Sequence, residues 1–438
     1  MQCAVSSCPN KCHTVSNMTS LRLTALAIAV CTLCTTQASG ENAVLYWNTQ
    51  VLNATRLSRN PPPIAALHLA TFHAAISDAV DGIVRRWHPW MVNETAPAGA
   101  NMDAAIASAA FTTLNAIWGQ VANPENFRDA YKDALAGIPD GQAKSDGIKW
   151  GRDVAERILA KRAAAEACMN QDPDYPTKSD TQGKWRETPP GFRPPVAPQV
   201  RRVTPFVMMS PSQFRAPPPK PLDSPEYAED LAYVAKVGPR DGAERTEYQT
   251  LSTPFWADDL GSSTPAGHWN VIAQDLARRN HLSVEDCARL FALLNFATAD
   301  AGISSWETKF YYLEWRPETA LREIDPKINP QVKIDPGFIP NMASPAHPTY
   351  TSAHSTFTGA ASRLLALYFG KDEIEFSIGS DGLPGAIRTY QKLSDACLEL
   401  SMSRVWGGIH TMTDVMEGQK AGFKIADWTF QHALLPLK

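Results

Sequence analysis

The stretch HPTYTSAHSTFTGA, from His347 to Ala360, places two histidines and several hydroxyl side chains at the entrance of a predicted helix. Free N–H groups and the positive end of the helix dipole make a helix N-terminus attractive to anions. Ser352 and His354 at this end could bind an oxyanion and move its proton. Considered alone, the stretch is better explained by Ser352 as a simple N-cap and His354 as an ordinary first-turn residue.

Two cations lie close together in the segment KFYYLEWRP. Lys309 and Arg316 are seven residues apart, so the spacing predicts that both lie on one helix face, and Pro317 is predicted to end the helix. An exposed Lys–Arg pair usually forms a solvated surface. The aromatic residues between these two make the helix strongly apolar, which favours an inward-facing cationic pair.

The segment SRVWGGIHTMTD adds Arg404, His410 and Asp414. A spacing of four residues predicts that His410 and Asp414 lie together on a helix, where the carboxylate would orient the ring and fix its tautomer. The alternative is a routine polar pair. Taken together, the three segments predict a site for a tetrahedral oxyanion with several negative charges. One histidine would attack or coordinate the central atom, and the other would act as acid or base.

The order Lys-x6-Arg-Pro, then Ser-x-His, then Ser-Arg-x5-His-x3-Asp resembles the signature of a known superfamily. It contains the vanadium-dependent haloperoxidases and the type 2 phosphatidic acid phosphatases. The resemblance covers roughly residues 305–418 and extends more weakly back to about residue 60. Thr351 and Ala353 replace the usual proline and glycine. If position 353 required a positive φ, alanine would be strained there.

In the haloperoxidase branch, the resemblance implies vanadate as cofactor, with His410 as its single protein ligand. His354 would manage the proton of the incoming hydrogen peroxide, and Asp414 would orient His410. The groups that would neutralise or hydrogen-bond the vanadate oxygens are the side chains of Lys309, Arg316, Arg404 and Ser352 and the N–H of Ala353. The resemblance implies that Trp306 and His347 shape the halide region. It implies that Asp259 braces an active-site arginine.

Two alternatives remain beside the haloperoxidase. In an acid phosphatase, His410 would be the nucleophile, phosphate would enter as part of a phosphate ester, and His354 would protonate the leaving group. In a non-catalytic, exported oxyanion-binding protein, the changes at Thr351 and Ala353 would have abolished turnover. The long helical region before the core and the positions of Trp306 and His347 favour the haloperoxidase, whose substrates would be hydrogen peroxide, a halide and an organic acceptor.

The elements that must position these residues are predicted to be helices. Apolar residues recur at three- and four-residue spacing through most of the chain, with no convincing alternating strand, which predicts an all-α helical bundle. The resemblance implies that this bundle is of the haloperoxidase/acid phosphatase type. Residues 41–222 are predicted to form an extra N-terminal helical region that ends in a proline-rich loop, and residues 223–438 are predicted to form the helical core. The proline-dense part, residues 170–222, is predicted to be a surface loop lining an entrance or a plain linker. Gly418 and Gly422 predict close helix packing.

A leader is predicted over residues 1–40, because one arginine, an apolar run and small residues follow Met18. Export to the periplasm or the outside is therefore expected. Removal of the leader would leave three cysteines, Cys168, Cys287 and Cys397, enough for at most one disulfide.

The net charge of −4 and the lack of a Lys/Arg-rich run argue against a nucleic-acid partner. No run in the mature part is long enough for a membrane span, and a homodimer is suggested by the resemblance alone. His68, His73 and Asp78 are expected to pack helices rather than to bind a metal.

Overall fold

The computed structural model describes residues 42–120, 124–171 and 179–437, so the predicted leader lies outside the described residues. Within these ranges, thirteen α-helices confirm the all-α prediction. In chain order, they are α1 Ala43–Ser58, α2 Pro62–Val84, α3 Met102–Trp118, α4 Pro124–Ala136, α5 Gln142–Ala165, α6 Pro225–Val237, α7 Glu247–Phe255, α8 Thr264–Arg279, α9 Val284–Tyr312, α10 Pro317–Glu323, α11 Ala353–Phe369, α12 Leu393–Trp406 and α13 Met412–His432. Two short 3-10 helices cover Ala167–Asn170 and Pro198–Arg202.

A small β-hairpin lies between α11 and α12. Its strands, β1 (Phe376–Gly379) and β2 (Ile387–Tyr390), pair antiparallel, with Phe376 opposite Tyr390. The sequence analysis found no convincing strand and missed this hairpin. Four-residue strands are too short for their alternation to stand out against the helical pattern around them.

The helices that carry the site share one hydrophobic core. The 29-residue helix α9 is buried along most of its length and packs against α2, α11 and α13. Side chains from before and after residue 222 belong to this core, for example Phe72 and Phe291. Because this core is shared, it does not test the predicted division of the chain at residue 222, which stays a prediction.

Helices α11 and α13 approach each other closely, as the two glycines predicted. A Cβ atom on Gly418 would lie 2.7 Å from the Ser352 carbonyl oxygen, and one on Gly422 would lie 2.4 Å from the Thr356 carbonyl oxygen. Because such distances are shorter than any ordinary contact, only glycine permits this spacing. The approach brings the start of α11 against the start of α13.

The chain around Lys309 and Arg316 is not one helix, and the prediction that they share a helix face was wrong. Helix α9 ends at Tyr312, because Leu313 takes a left-handed conformation (φ 57°) and its N–H bonds the Lys309 carbonyl oxygen. Arg316 is the N-cap of α10, and Pro317 opens that helix instead of ending α9. Proline suits a first helical position, since its missing N–H has no helical partner there.

A second correction concerns His410 and Asp414. Helix α13 begins only at Met412, because Thr411 and Asp414 form a capping box. His410 therefore precedes the helix instead of lying within it. The two side chains still meet, since the capping box turns the Asp414 carboxylate back towards the residues before the helix.

The described part of the proline-dense segment, residues 179–222, packs on the bundle. The Asp300 carboxylate on α9 accepts hydrogen bonds from the backbone N–H groups of Phe206, Val207 and Met208. The Trp306 indole donates to the Val196 carbonyl oxygen at 3.0 Å. These contacts fix the segment beside the site, as the prediction of an entrance-lining loop requires.

Three further features concern the described residues. Cys168, Cys287 and Cys397 are all free thiols. His73 bonds the Asn48 side chain at 3.1 Å, and no group of three His, Cys, Asp or Glu residues suited to a metal occurs in the described ranges. No helix in the same ranges combines the length and apolar character needed to cross a membrane.

Candidate oxyanion site

A cavity of about 420 Å³ opens where α11 begins and where α12 ends. Its wall combines apolar side chains with most of the predicted site residues. The lining residues used below are Arg59, Arg193, Val196, Asp259, Trp306, Pro345, His347, Ala353, His354, Phe357 and Arg404. Lys309, Arg316, His410 and Asp414 lie buried beside it.

The His410 ring has a defined tautomer. Its Nε2 lies 3.2 Å from Arg316 Nη1, and its Nδ1 lies 3.1 Å from Asp414 Oδ2. A guanidinium can only donate, so Nε2 carries the lone pair and Nδ1 carries the proton. Burial and the nearby Arg316 and Lys309 lower the pKa of His410 well below its ordinary value. The ring is therefore neutral and offers Nε2 as a ligand or nucleophile.

Thr349 completes the support of His410, and the sequence analysis missed it. Its hydroxyl donates to Asp414 Oδ2 at 2.7 Å and lies 3.2 Å from His410 Nδ1. The Thr411 N–H donates to the same carboxylate oxygen at 2.9 Å. Burial raises the pKa of Asp414 to about 6, although these two hydrogen bonds oppose the rise. The position of Thr349 between His347 and Ser352 was the only signal in the sequence.

Lys309 is fully buried, with its amine bonded to the chain just before α11. Lys309 Nζ donates to the carbonyl oxygens of Pro348 and Thr349, both at 2.8 Å. Burial and the neighbouring Arg316 lower the pKa of Lys309 well below its ordinary value. A protonated amine has three N–H donors, so one remains for an anion.

Arg316 is held by backbone carbonyl groups. Its Nε donates to His347 O at 2.9 Å, and its Nη1 donates to Ile409 O at 2.9 Å. Nη2 donates to His347 Nδ1 at 2.9 Å. Burial lowers the pKa of Arg316 to about 9, so the guanidinium stays charged at neutral pH. The hydrogen bonds of Arg316 thus join the turn before α13 to the loop before α11.

Arg404, near the end of α12, has an unused buried donor. Its Nε has no hydrogen-bond partner among the described residues. Burial lowers the pKa of Arg404 to about 10, and the nearby carboxylates of Asp259 and Asp258 limit that fall. Asp259 lines the same cavity, so its position is compatible with the predicted brace.

The N-terminus of α11 has the predicted form. Ser352 is the N-cap and accepts a bond from the Ser355 N–H. Ala353 is the first helical residue and does not take a positive φ. The condition under which alanine would be strained is therefore not met. The Ala353 N–H belongs to the first turn, where helical N–H groups have no partner inside the helix.

His354 follows in the first turn of α11 and lines the cavity. Its Nε2 lies 3.0 Å from the Ala257 carbonyl oxygen, which can only accept, so Nε2 carries the proton. Burial and Arg404 lower the pKa of His354 well below its ordinary value. The neutral ring keeps a basic Nδ1. The Ala257 carbonyl oxygen, which bonds His354, is a site contact that the sequence could not reveal.

Trp306 and His347 lie together on the cavity wall, with ring centroids 5.0 Å apart. His347 Nδ1 lies 2.9 Å from Arg316 Nη2 and 3.2 Å from the Pro348 carbonyl oxygen. The structure thus connects His347 to the oxyanion site as well as to the cavity. Its role in halide binding remains a prediction.

This arrangement is that of an oxyanion-binding helical bundle. The buried guanidinium groups of Arg316 and Arg404 and the buried Lys309 amine surround a neutral histidine, and Arg404 Nε is a donor without a partner among the described residues. A buried cation without a counter-charge is costly, so the site favours a ligand with several negative charges. The groups present therefore fit a tetrahedral oxyanion such as vanadate or phosphate.

Comparison with known proteins gives the same assignment. A family model described as the VCPO second helical-bundle domain matches residues 289–437. The vanadium chloroperoxidase of Curvularia inaequalis is 26% identical, over 75% of this chain and 66% of that protein. The chain thus spans slightly less than two thirds of that relative.

Two solved structures share the fold. The first bacterial vanadium-dependent iodoperoxidase is similar with a TM-score of 0.75 and 24% identity, over 90% of this chain and 97% of that one. A holo-type bacterial vanadium-dependent chloroperoxidase is similar with a TM-score of 0.67 and 17% identity, over 89% and 97%. These comparisons confirm the predicted resemblance: residues 289–437 match a domain of this kind, and the fold is shared with bacterial vanadium-dependent haloperoxidases.

Proposed function

We propose that this protein is a vanadate-dependent haloperoxidase that oxidises a halide with hydrogen peroxide to hypohalous acid. One observation carries the proposal. The neutral His410 ring presents its Nε2 lone pair at hydrogen-bonding distance from Arg316, in a site with two buried guanidinium groups and a buried lysine amine. The names of the relatives, chloroperoxidases and an iodoperoxidase, support the same activity.

The residues that would hold vanadate are those with a polar atom available to bind it. His410 would bind through Nε2, and the charges of Lys309, Arg316 and Arg404 would balance the oxygens. The Ser352 hydroxyl and the helix N-terminus at Ala353 would donate further hydrogen bonds. Bound vanadate would supply a Lewis-acid centre at which hydrogen peroxide becomes reactive towards a halide.

His354 is suited to accept a proton. Its Nε2–H is fixed on the Ala257 carbonyl oxygen, and its Nδ1 is unprotonated. As a base at the cavity wall, it would take a proton from incoming peroxide and return it when hypohalous acid forms. Burial and the positive charge of Arg404 keep the ring neutral in the free protein, and an anion bound beside it would raise its pKa and strengthen it as a base.

The cavity would serve halide entry. Trp306, Phe357 and Pro345 give it apolar walls, which limit the water around the reacting oxygen. Arg59 and Arg193 are exposed members of the lining and would attract anions from solution. An organic acceptor would meet the hypohalous acid in or near this cavity.

The acid phosphatase is the second candidate, because the His410 lone pair could equally attack phosphorus. That reaction needs a protonated His354 to neutralise the leaving oxygen. Burial and Arg404 instead hold the pKa of His354 well below its ordinary value. The negative charge of a bound phosphate ester would oppose this shift, so the names of the relatives favour the haloperoxidase over the ester hydrolase.

The deciding experiment uses chelator-treated protein with orthovanadate, hydrogen peroxide and each halide in turn. Iodide, bromide and chloride should be compared with a diketone acceptor, since chloride is the hardest to oxidise. A chromogenic phosphate ester is tested beside it without vanadate. His410→Ala removes the proposed ligand, and His432→Ala, an exposed histidine on α13, is the matched control.

Vanadate-dependent halogenation that His410→Ala abolishes and His432→Ala retains would support the proposal. Ester hydrolysis inhibited by vanadate, without halogenation, would establish the phosphatase instead. Vanadate binding without either reaction would leave the non-catalytic oxyanion-binding protein. The order of rates among the three halides would define the preference.

We also propose export and a homodimer. Export rests on the leader-like residues 18–40, and N-terminal sequencing of protein from periplasm and medium would test it. The dimer rests on the resemblance alone, and light scattering of the purified protein would test it.

A further inference from the structure

His268 on α8 is a buried histidine that bridges two elements outside the oxyanion site. Its Nδ1 lies 2.9 Å from Asp258 Oδ1, and its Nε2 lies 2.9 Å from the Gly379 carbonyl oxygen. A carbonyl oxygen can only accept, so Nε2 carries a proton. The other ring nitrogen faces a carboxylate. Both contacts are satisfied together when the ring is an imidazolium paired with the Asp258 carboxylate.

The Asp258 end of this bridge belongs to a loop that reaches the active site. Ala257, the preceding residue, accepts the hydrogen bond that fixes His354. Asp259, the following residue, lines the cavity with Arg404. Asp258 itself has a φ of 46°, which is unfavourable for a residue with a side chain. A loop in this conformation needs support from its surroundings.

The Gly379 end belongs to the β-hairpin. Asp381, just after β1, accepts from the Ser263 N–H and pairs with Arg56 of α1. Arg56, Asp381 and His268 line one cavity of about 310 Å³. The hairpin is thus anchored to the bundle and can hold His268 from the side opposite the loop.

The surroundings of His268 favour its cation. The charged groups that face it are Asp258 from the loop, Asp381 from the hairpin and Arg56 from α1. Burial lowers the pKa of His268, but Asp258 and the Gly379 carbonyl outweigh it, so the pKa lies above the ordinary value. The Trp256 ring packs against the imidazole with centroids 4.7 Å apart.

We propose that His268 is a positioning residue for the active site. By donating at both ring nitrogens, it holds residues 257–259 between the hairpin and the catalytic groups. The Ala257 carbonyl then orients His354, and Asp259 stays beside Arg404. The role in turnover rests on the proposed haloperoxidase function. The role in holding Arg404 for an oxyanion does not.

Loss of the His268 proton should loosen the loop. A neutral ring would turn a lone pair towards either the Gly379 carbonyl or the Asp258 carboxylate, and both are electron-rich. Because its folded pKa is raised, His268 contributes stability fully below its unfolded pKa. That contribution disappears as the pH rises through the folded pKa. The proposal therefore predicts a loss of function on the alkaline side.

His268→Gln provides the main test, with His73→Gln as control. Glutamine can bond one of the two partners but cannot titrate. His73 is equally buried and is bonded to the Asn48 side chain instead of the catalytic loop. We expect His268→Gln to lower kcat/KM for peroxide roughly 10- to 100-fold, as for other groups that orient ligands. The alkaline fall assigned to His268 should also vanish, whereas His73→Gln should retain it.

Tungstate affinity gives a readout that needs no halide oxidation. His268→Gln should weaken tungstate binding at neutral pH by roughly tenfold through Arg404, and His73→Gln should leave it unchanged. Inactive wild-type protein with this tungstate effect would overturn the proposed function and support the positioning role. Unchanged affinity and an unchanged pH profile in His268→Gln would overturn the positioning role.

Nitrogen NMR of wild-type protein with ¹⁵N-labelled histidine covers the case of a variant that fails to fold. His268 should show two protonated ring nitrogens at neutral pH and should deprotonate only above the ordinary histidine range. One unprotonated nitrogen at neutral pH would overturn the proposal.

Discussion

Oxyanion binding should draw a proton onto Lys309. The Lys309 amine is fully buried and bonded to two carbonyl oxygens, and no carboxylate lies within ion-pair distance of it among the described residues. Two donors are satisfied, and the third exists only in the charged form. A multiply charged anion beside Lys309 supplies the counter-charge that the protein itself lacks.

The size of the effect follows from Coulomb's law. Two unit charges about 4 Å apart interact by about 4 kcal/mol at an effective dielectric constant near 20. One pKa unit corresponds to about 1.4 kcal/mol, so an interaction of this size is large enough to raise the pKa of Lys309. Its pKa, lowered by burial and Arg316, then returns towards its ordinary range. Uptake should approach one proton per anion bound.

Calorimetry can count this proton. Tungstate is titrated into the protein at about pH 8.5 in buffers with different ionisation enthalpies, and the slope of observed against buffer enthalpy gives the protons taken up. Histidines with ordinary pKa values near 6.5 stay neutral at this pH, whereas lysine, near 10.4, does not. Tungstate is fully deprotonated there, so the uptake comes from the protein.

Lys309→Met should abolish the uptake, and Lys371→Met, at an exposed lysine, should leave it unchanged. Tungstate binding to the wild type with a slope near zero would refute the argument, because Lys309 would then be charged before the anion arrives. Equal uptake in Lys309→Met would assign the proton to another group.

Two further predictions concern stability. Thr349→Val keeps the shape of the side chain but removes its hydrogen bond to Asp414. The free energy of unfolding, measured by urea titration, should therefore fall by about 1.5–3 kcal/mol. An unchanged free energy of unfolding would mean that water replaces the hydroxyl. Gly422→Ala forces a Cβ against the Thr356 carbonyl and should cost about 1–3 kcal/mol. Gly137→Ala, with open space around its Cβ, should change stability little, and equal losses in both variants would contradict the helix-packing argument.

The sequence by itself determined the helical class, the Ser352 cap, the close packing at Gly418 and Gly422, and the identity of the charged groups. These depend on local spacing or on the chemistry of single side chains. The three segments that contain Lys309, His354 and Arg404 were enough, when taken together, to predict an oxyanion site.

Only the tertiary structure decided how those groups are held. Lys309 bonds carbonyl oxygens about 40 residues away, and any residue can supply a carbonyl, so no side-chain pattern marks the partner. The left-handed turn at Leu313 separates Arg316 from α9, although leucine gives no signal for it. The bridge from His268 to Gly379 likewise depends on chain segments that meet only after folding. Spacing reports local periodicity, whereas backbone partners and helix ends are selected by long-range packing.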